Sequence, residues 1–203
     1  LSNLGNAHAF AVNGGSGTFY IYGRDIVVRS GTASTTVSTT GSMYVNAYSG
    51  GTQGFRIEAE QAPVSVSSGF QQLILYNGLS VLGGAAANAS ATLSSTSSQY
   101  LYAYSSGGSA FNVTGGTASG ASAAVTGAFQ QISGYFSNQY FSAINLTAGT
   151  AANTSARVAS SGSQNVNLLN GSIALLAGGT EGASAELAAV SSQTVTAHGG
   201  ITI

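Results

Sequence analysis

The stretch SIALLAGGTEGASAELAAVSSQTVTAHGGITI, residues 172–203, closes the chain on Ile201-Thr202-Ile203, a phrase that repeats the apolar-x-apolar spacing of Ile173-Ala174-Leu175. Between the two copies lie a small-residue run ending in Leu187, a Gln two residues ahead of Val195, and the pair Gly199-Gly200. The same order of signals runs upstream. The first phrase recurs as Ile26/Val28, Phe55/Ile57, Leu79/Val81, Phe111/Val113 and Ile144/Leu146, at spacings that average about 29 residues over the whole series. The second recurs as ASTTV (33–37), ASATL (89–93), ASAAV (121–125), TSARV (154–158) and ASAEL (183–187), with APVSV (62–66) carrying the only Pro and marking a distorted strand or a corner. The third aligns on Val45, Ile74, Leu101, Ile132, Val166 and Val195.

Each unit therefore reads as three short strands divided by Gly-rich turns, with no amphipathic helical period anywhere. Like elements return in order at near-constant spacing, which stacks each strand on its counterpart in the next unit and disfavours the two-residue turns of antiparallel hairpins. The fold expected is all-β: a right-handed parallel β-solenoid, or β-helix, of six to seven coils with about 29 residues and three short strands per coil. Right-handed winding is the default for parallel crossovers. Residues 1–203 read as one solenoid domain, with 1–24 a partial first coil in which TFYIY (18–22) supplies the third strand, and 25–203 the repeats.

Composition agrees. Only 4% of the 203 residues are charged, Lys is absent and Gly numbers 29, yet 43% are hydrophobic, a balance that fits neither a charged disordered chain nor an ordinary globular surface. A formal net charge of −1 gives no footprint for nucleic acid, and no apolar run reaches the length of a membrane helix. Neither nucleic acid nor membrane insertion is expected. The absence of Cys removes disulfides and thiolate chemistry. The closing Ile201-Thr202-Ile203 reads as the first strand of a further unit, so the chain is expected to continue or to associate end to end or laterally into filaments, and Leu1 to Phe10 shows no cap.

Stacking turns each repeat position into a column. Gln72, Gln99, Gln130, Gln164 and Gln193 stand two residues before the third-strand anchors and are expected to form a corner ladder of amides, bonded coil to coil. Arg157 and Glu186 share one position in neighbouring coils and are expected to form a surface ion pair. With Ile74 as an anchor, one outward column reads Tyr20, Tyr44, Leu73, Tyr100 and the next Tyr22, Asn46, Leu75, Tyr102, with Tyr48, Tyr104 and Tyr135 toward the turn. These tyrosines are the candidate interaction surface, for a sugar or for another solenoid.

The one carboxylate cluster, FRIEAE (55–60), places Arg56, Glu58 and Glu60 on one side of a strand. Two carboxylates can cleave a glycosidic bond. The expectation is a solvated strand face without cross-coil partners of the kind that catalysis requires, hence no catalytic residues and no enzyme. Asp25, between Arg24 and Ile26, reads as turn chemistry, and His8 and His198 have no metal-ligand spacing. No metal or cofactor is expected. The glycine runs lack the Lys and the helix of a phosphate loop. Five N-x-[ST] matches, at Asn88, Asn112, Asn145, Asn153 and Asn170, are close to the roughly three or four that so Ser/Thr-rich a chain gives by chance.

SQTVTAHGGITI (192–203), GSIALLAGGTEGAS (171–184) and NQYFSAINLTAGTAANTS (138–155) resemble the Gly/Ala/Ser/Thr-rich repeats of bacterial filamentous-haemagglutinin-like exoproteins of the two-partner secretion type. The likeness spans about Asp25 to Ile203. It implies a β-helix shaft of a large secreted or surface-displayed protein that serves adhesion, aggregation or biofilm structure. A carbohydrate-binding or carbohydrate-active β-helix is the alternative; against the active form, residues 79–143 contain no charged side chain.

Overall fold

The computed structural model describes residues 10–203 and contains strands and turns, with no helix among them. Three seven-stranded sheets run the length of the molecule, and each is parallel throughout. The first face holds Ile26–Arg29, Phe55–Glu58, Leu79–Leu82, Ser109–Thr114, Phe141–Thr147, Ser172–Leu176 and Ile201–Thr202. The second holds Phe10–Asn13, Thr35–Ser38, Val64–Ser68, Ala91–Ser95, Ala123–Gly127, Ser155–Ser160 and Ser184–Ala189. The third holds Phe19–Gly23, Ser42–Ala47, Phe70–Leu75, Ser98–Ala103, Phe129–Gly134, Ser163–Leu168 and Ser192–Ala197. The chain is a β-solenoid of about seven turns, as the repeat required. Residues 1–9, with His8, lie outside the described residues, and the second-face strand Phe10–Asn13 of the partial first coil had no signal in the repeat.

Register follows the first phrase: Ile26, Phe55, Leu79, Phe111, Ile144, Ile173 and Ile201 are successive partners, with one irregularity just ahead of the phrase, where Ser142 is the extra residue between Ser109–Phe141 and Ala110–Ala143. On the second face Thr35, Val64, Ala91, Ala123, Ala156 and Ala185 form the matching file. Alternation sets what each file does. Residues two apart point to the same side of a strand, so Phe55, Ile57, Phe111, Val113, Ile144 and Leu146 all fill the interior from the first face. The bulky rings of Phe111 and Phe141 meet there at 5.8 Å. Opposite them stand Ala91, Ala123 and Ala156, fully buried, which is why the second phrase is written in small residues: a narrow interior filled by rings from one wall leaves methyl-sized room at the other.

Hydroxyls fix the corner between the second and third faces. Ser95 Oγ donates to Gly69 O at 2.6 Å and Ser160 Oγ to Ala128 O at 2.7 Å, while Thr39 Oγ1 donates to Gly17 O at 2.6 Å. All three residues are buried, and each places its hydroxyl on a turn carbonyl of the preceding coil. Pro63 sits at the corner ahead of Val64–Ser68, where its missing N–H interrupts no ladder within the strand.

The third-face register corrects one alignment. Val45, Leu73, Leu101 and Ile132 are partners, so Leu73 points inward and Ile74 outward, the reverse of the sequence alignment. Two consecutive Gln and three consecutive aliphatic residues in FQQLIL made both phases equally plausible on pattern; packing decides, because a one-residue slip exchanges every inward and outward side chain. The ladder consequently contains Gln71, and Gln72 faces outward between Tyr44 and Tyr100. It also lies inside the solenoid and not on a corner. Gln99 donates to Gln71 Oε1 at 2.7 Å, Gln130 to Gln99 at 2.8 Å, Gln164 to Gln130 at 2.7 Å and Gln193 to Gln164 at 2.6 Å. The Gln71 amide donates onward to Ser94 O at 2.8 Å, and Met43 continues the file in the coil before. Four of the five amides are buried, and each is satisfied by the next coil.

Candidate functional site

The outer side of the third face carries the feature most unlike an ordinary strand surface. Its strands contain no charged residue, and its first five coils present aromatic rings that touch in one continuous network. Tyr20, Tyr44, Gln72, Tyr100, Gln131, Asn165 and Thr194 are successive partners in one file; in the next, Tyr22, Asn46, Ile74, Tyr102 and Ser133 are successive partners, and Asn167 pairs with Thr196. Gln72 and Ile74 therefore replace the expected Leu73 and Leu75, both of which are buried. Tyr20, Tyr22, Tyr44, Tyr48, Tyr100, Tyr102, Tyr104 and Tyr135 are all brought to this one face, as the repeat implied.

A residue missed in the sequence completes the turn file. Tyr48, Tyr76, Tyr104 and Tyr135 occupy the same place in four consecutive coils, each donating its backbone N–H one coil down: Tyr76 to Ala47, Tyr104 to Leu75, Tyr135 to Ala103. Tyr76 stands three residues after the anchor Leu73, as Tyr48 does after Val45 and Tyr104 after Leu101, so the correct anchor would have revealed it. Phe70 and Phe129, three residues before their anchors, bridge the rows: Tyr44 to Phe70 at 5.8 Å, Phe70 to Tyr100 at 5.6 Å, Tyr100 to Phe129 at 5.9 Å.

Ring orientation changes along the axis. In the first coils the rings lie parallel and stand side by side: Tyr20 with Tyr44, Tyr20 with Tyr22 and Tyr22 with Tyr48 are within 13° of coplanar orientation at 5.4–6.1 Å. Around the fourth and fifth coils they cross. Tyr135 meets Phe136 at 4.8 Å and 81°, and Tyr102 meets Tyr135 at 5.5 Å and 78°. Burial, together with the neighbouring Tyr100 and Tyr135, holds the Tyr102 phenol above its ordinary pKa. Beyond Tyr135 and Phe136 the face becomes amide and hydroxyl: Asn165, Asn167, Thr194 and Thr196.

Two depressions flank this change. One, of about 390 Å³, is floored by Asn46, Ile74, Tyr76 and Tyr104 and walled by Tyr48 and Tyr135. The other, of about 240 Å³, lies between Tyr135 and Phe136 on one side and Asn165, Asn167 and Leu169 on the other, over Gln131 and Ser133. Tyr135 is the ridge between them.

The charged residues sit elsewhere and are mostly spoken for. Glu58 is 7% exposed and is gripped by Arg29 from the previous coil, whose Nε donates to Oε2 at 2.6 Å, and by Arg56 two residues away. Arg56 also donates to Gln53 Oε1 at 3.1 Å, and Arg29 approaches Glu60 at 3.6 Å. The expectation of a solvated Glu58 is thus corrected: the Arg29–Glu58 register brings a guanidinium over the carboxylate, and Leu82 follows it in the next coil. Arg157 and Glu186 are register partners at 2.9 Å with both side chains about half exposed, as anticipated. Asp25 caps a corner: its Oδ1 accepts from the backbone N–H groups of Gln53 at 2.7 Å, Thr52 at 2.9 Å and Gly54 at 3.1 Å. Those donors, Gln53 first, hold its carboxyl below the ordinary value. His198 is exposed at a turn, and no three His, Asp or Glu residues gather among the described residues.

Comparison with protein-family models, with curated proteins and with solved structures finds no match to this chain.

Proposed function

We propose that the chain is a non-enzymatic structural shaft of a secreted or surface-displayed filament or adhesin, serving adhesion, aggregation or biofilm matrix. The observation that carries this reading is the continuity of the stack: every one of the three sheets runs through seven strands, and the interior Gln file bonds coil to coil along the axis. Such an architecture lengthens by adding units, since each coil contacts only its neighbours, and its function resides in length and surface. Two further features support it. The buried Glu58 carboxylate is neutralised by two guanidinium groups, a setting that ill suits it to act as the acid or base of glycoside cleavage. The Gly/Ala/Ser/Thr-rich style resembles filamentous-haemagglutinin-like exoproteins.

Negative-stain electron microscopy of the purified chain at rising concentration, with a reducing-end assay on a panel of polysaccharides, tests the reading. Rods that lengthen by end-to-end association, with no cleavage, are expected. Polysaccharide cleavage that is lost in Glu58→Gln or Glu60→Gln while the fold is retained would overturn it. A second reading, a carbohydrate-binding solenoid, is favoured by one observation, the uncharged aromatic third face.

A further inference from the structure

We infer that the seam between the fifth and sixth coils of the third face, formed by Tyr135, Phe136, Gln131, Ser133, Asn165 and Asn167, is a binding site for a neutral glycan chain. The inference rests on the shaft reading only in taking the glycan as held and not cleaved. It assigns the contact to one end of the aromatic array and not to the tyrosine rows as a whole.

Ring geometry makes the distinction. A sugar ring carries C–H groups on one flat side and hydroxyls around its edge, and it recognises an aromatic residue through that residue's face. In the Tyr20, Tyr22, Tyr44 and Tyr48 rows the rings are near-parallel at 5.4–6.1 Å and stand side by side, all turned the same way. At the seam Tyr135 and Phe136 cross at 81°, and in a perpendicular pair one ring offers a face where the other offers an edge. Both are well exposed, Tyr135 at 40% and Phe136 at 54%, and no aromatic residue of the sixth coil covers them, because Leu169 follows Tyr135 in the turn file.

The opposite wall supplies the complementary chemistry. Asn165 and Asn167 are exposed, and neither side chain spends a hydrogen bond on the protein; Gln131, the register partner of Asn165, is likewise free. Elsewhere amides at adjacent positions do bond one another, as Asn145 does to Asn112 at 2.9 Å on the first face. Side-chain amides both donate and accept, which matches the two-way hydrogen bonding of hydroxyls. Charge fixes the class: the third-face strands carry none, and Arg157 lies on the second face, so nothing at the seam compensates the carboxylate or sulfate of an acidic glycan.

Size fixes the length of contact. The seam depression, about 240 Å³, is below the roughly 300–1,000 Å³ of pockets that enclose drug-sized ligands, and it suits one sugar residue of a chain. Tyr135 also walls the 390 Å³ depression on its other side, so a glycan laid along the solenoid axis crosses the Tyr135 ridge and engages both.

Isothermal titration with neutral β-glucan, mannan and chitin hexasaccharides, and with a heparin hexasaccharide as the acidic comparison, tests the site. Far-UV circular dichroism checks that each variant keeps its strands. At least one neutral oligosaccharide should bind and heparin should not. Phe136→Ala and Asn167→Ala should each weaken binding by about threefold to tenfold, the scale of one aromatic or hydrogen-bonding contact, whereas Tyr20→Ala at the far end should leave it unchanged. Loss in Tyr20→Ala without loss in Phe136→Ala, preferential heparin binding, or no binding to any neutral probe would overturn the assignment. So would dimerisation in sedimentation that Phe136→Ala abolishes in the absence of glycan, which would give the seam to a second copy of the chain. Each of these leaves the shaft reading standing, whereas reducing-end release from the bound hexasaccharide would strike at that reading.

Discussion

Replacing Gln130 by Leu keeps roughly the same bulk and removes one rung from the middle of the interior ladder. Two side-chain groups then lose their partners: Gln99 Oε1, which accepts from Gln130, and the Gln164 amide, which donates to it; the longer bond from Gln130 to Val125 O goes as well. Both residues are buried, 0% and 2% exposed, so water cannot replace the lost bonds. At about 1–3 kcal/mol for each stranded group, the variant should lose ~2–6 kcal/mol, with the added apolar contact of Leu drawing the value toward the lower end. With a urea slope of about 1–3 kcal/mol/M, that is a midpoint shift of the order of 1–3 M, read by far-UV circular dichroism. The sharper test is the pair. Gln99→Leu alone strands Gln71 Oε1 and the Gln130 N–H that Gln99 had accepted, but Gln99→Leu with Gln130→Leu strands only Gln71 Oε1 and the Gln164 amide. The double variant should therefore cost about as much as either single one, a coupling of ~2 kcal/mol or more. Simple additivity, or a Gln130→Leu protein as stable as the parent, would refute the view that the file acts by mutual satisfaction.

Three other outcomes follow from particular contacts. Glu58→Gln leaves Arg56 without its counter-charge and Arg29 with only the more distant Glu60, and should destabilise by roughly 2 kcal/mol, short of the ~3–5 kcal/mol of a fully buried pair because those side chains keep 31% and 28% exposure; chemical denaturation measures it. Gly120 holds φ at +72° and a Cβ there would overlap Asn88 Oδ1 of the preceding coil, so Gly120→Ala should lose more than about 1 kcal/mol, while Gly179→Ala, in open space, should be near neutral in the same titration. The depressed Asp25 carboxyl stabilises the fold above its ordinary value of 3.8, and that contribution is lost as pH falls through the lower folded value. Urea midpoints measured from pH 5 downward should show this loss in the parent and not in Asp25→Ala.

The repeat of phrase and period was enough to determine the parallel solenoid, its three faces and about seven turns, because stacking identical phrases in register is the arrangement that buries each apolar file and satisfies each polar one at once. It also determined that Arg157 meets Glu186 and that the tyrosines share a face, since those conclusions need only the correct repeat phase. Where the local pattern is degenerate the phase itself was undetermined. FQQLIL offers two Gln and three aliphatic residues, and only three-dimensional packing chose Gln71 and Leu73 for the interior, returning Gln72 and Ile74 to the surface and adding Tyr76 to the turn file. Alternation along one strand likewise put Glu58 outside, but burial is set by what the next coil lays over a position, and that was Arg29 below and Leu82 above. Ring tilt was the furthest from the sequence: Tyr48 and Tyr135 occupy the same place in the turn file, yet Tyr48 lies parallel to Tyr22 and Tyr135 crosses Tyr102, because the angle follows from which neighbours stand in the adjoining coils.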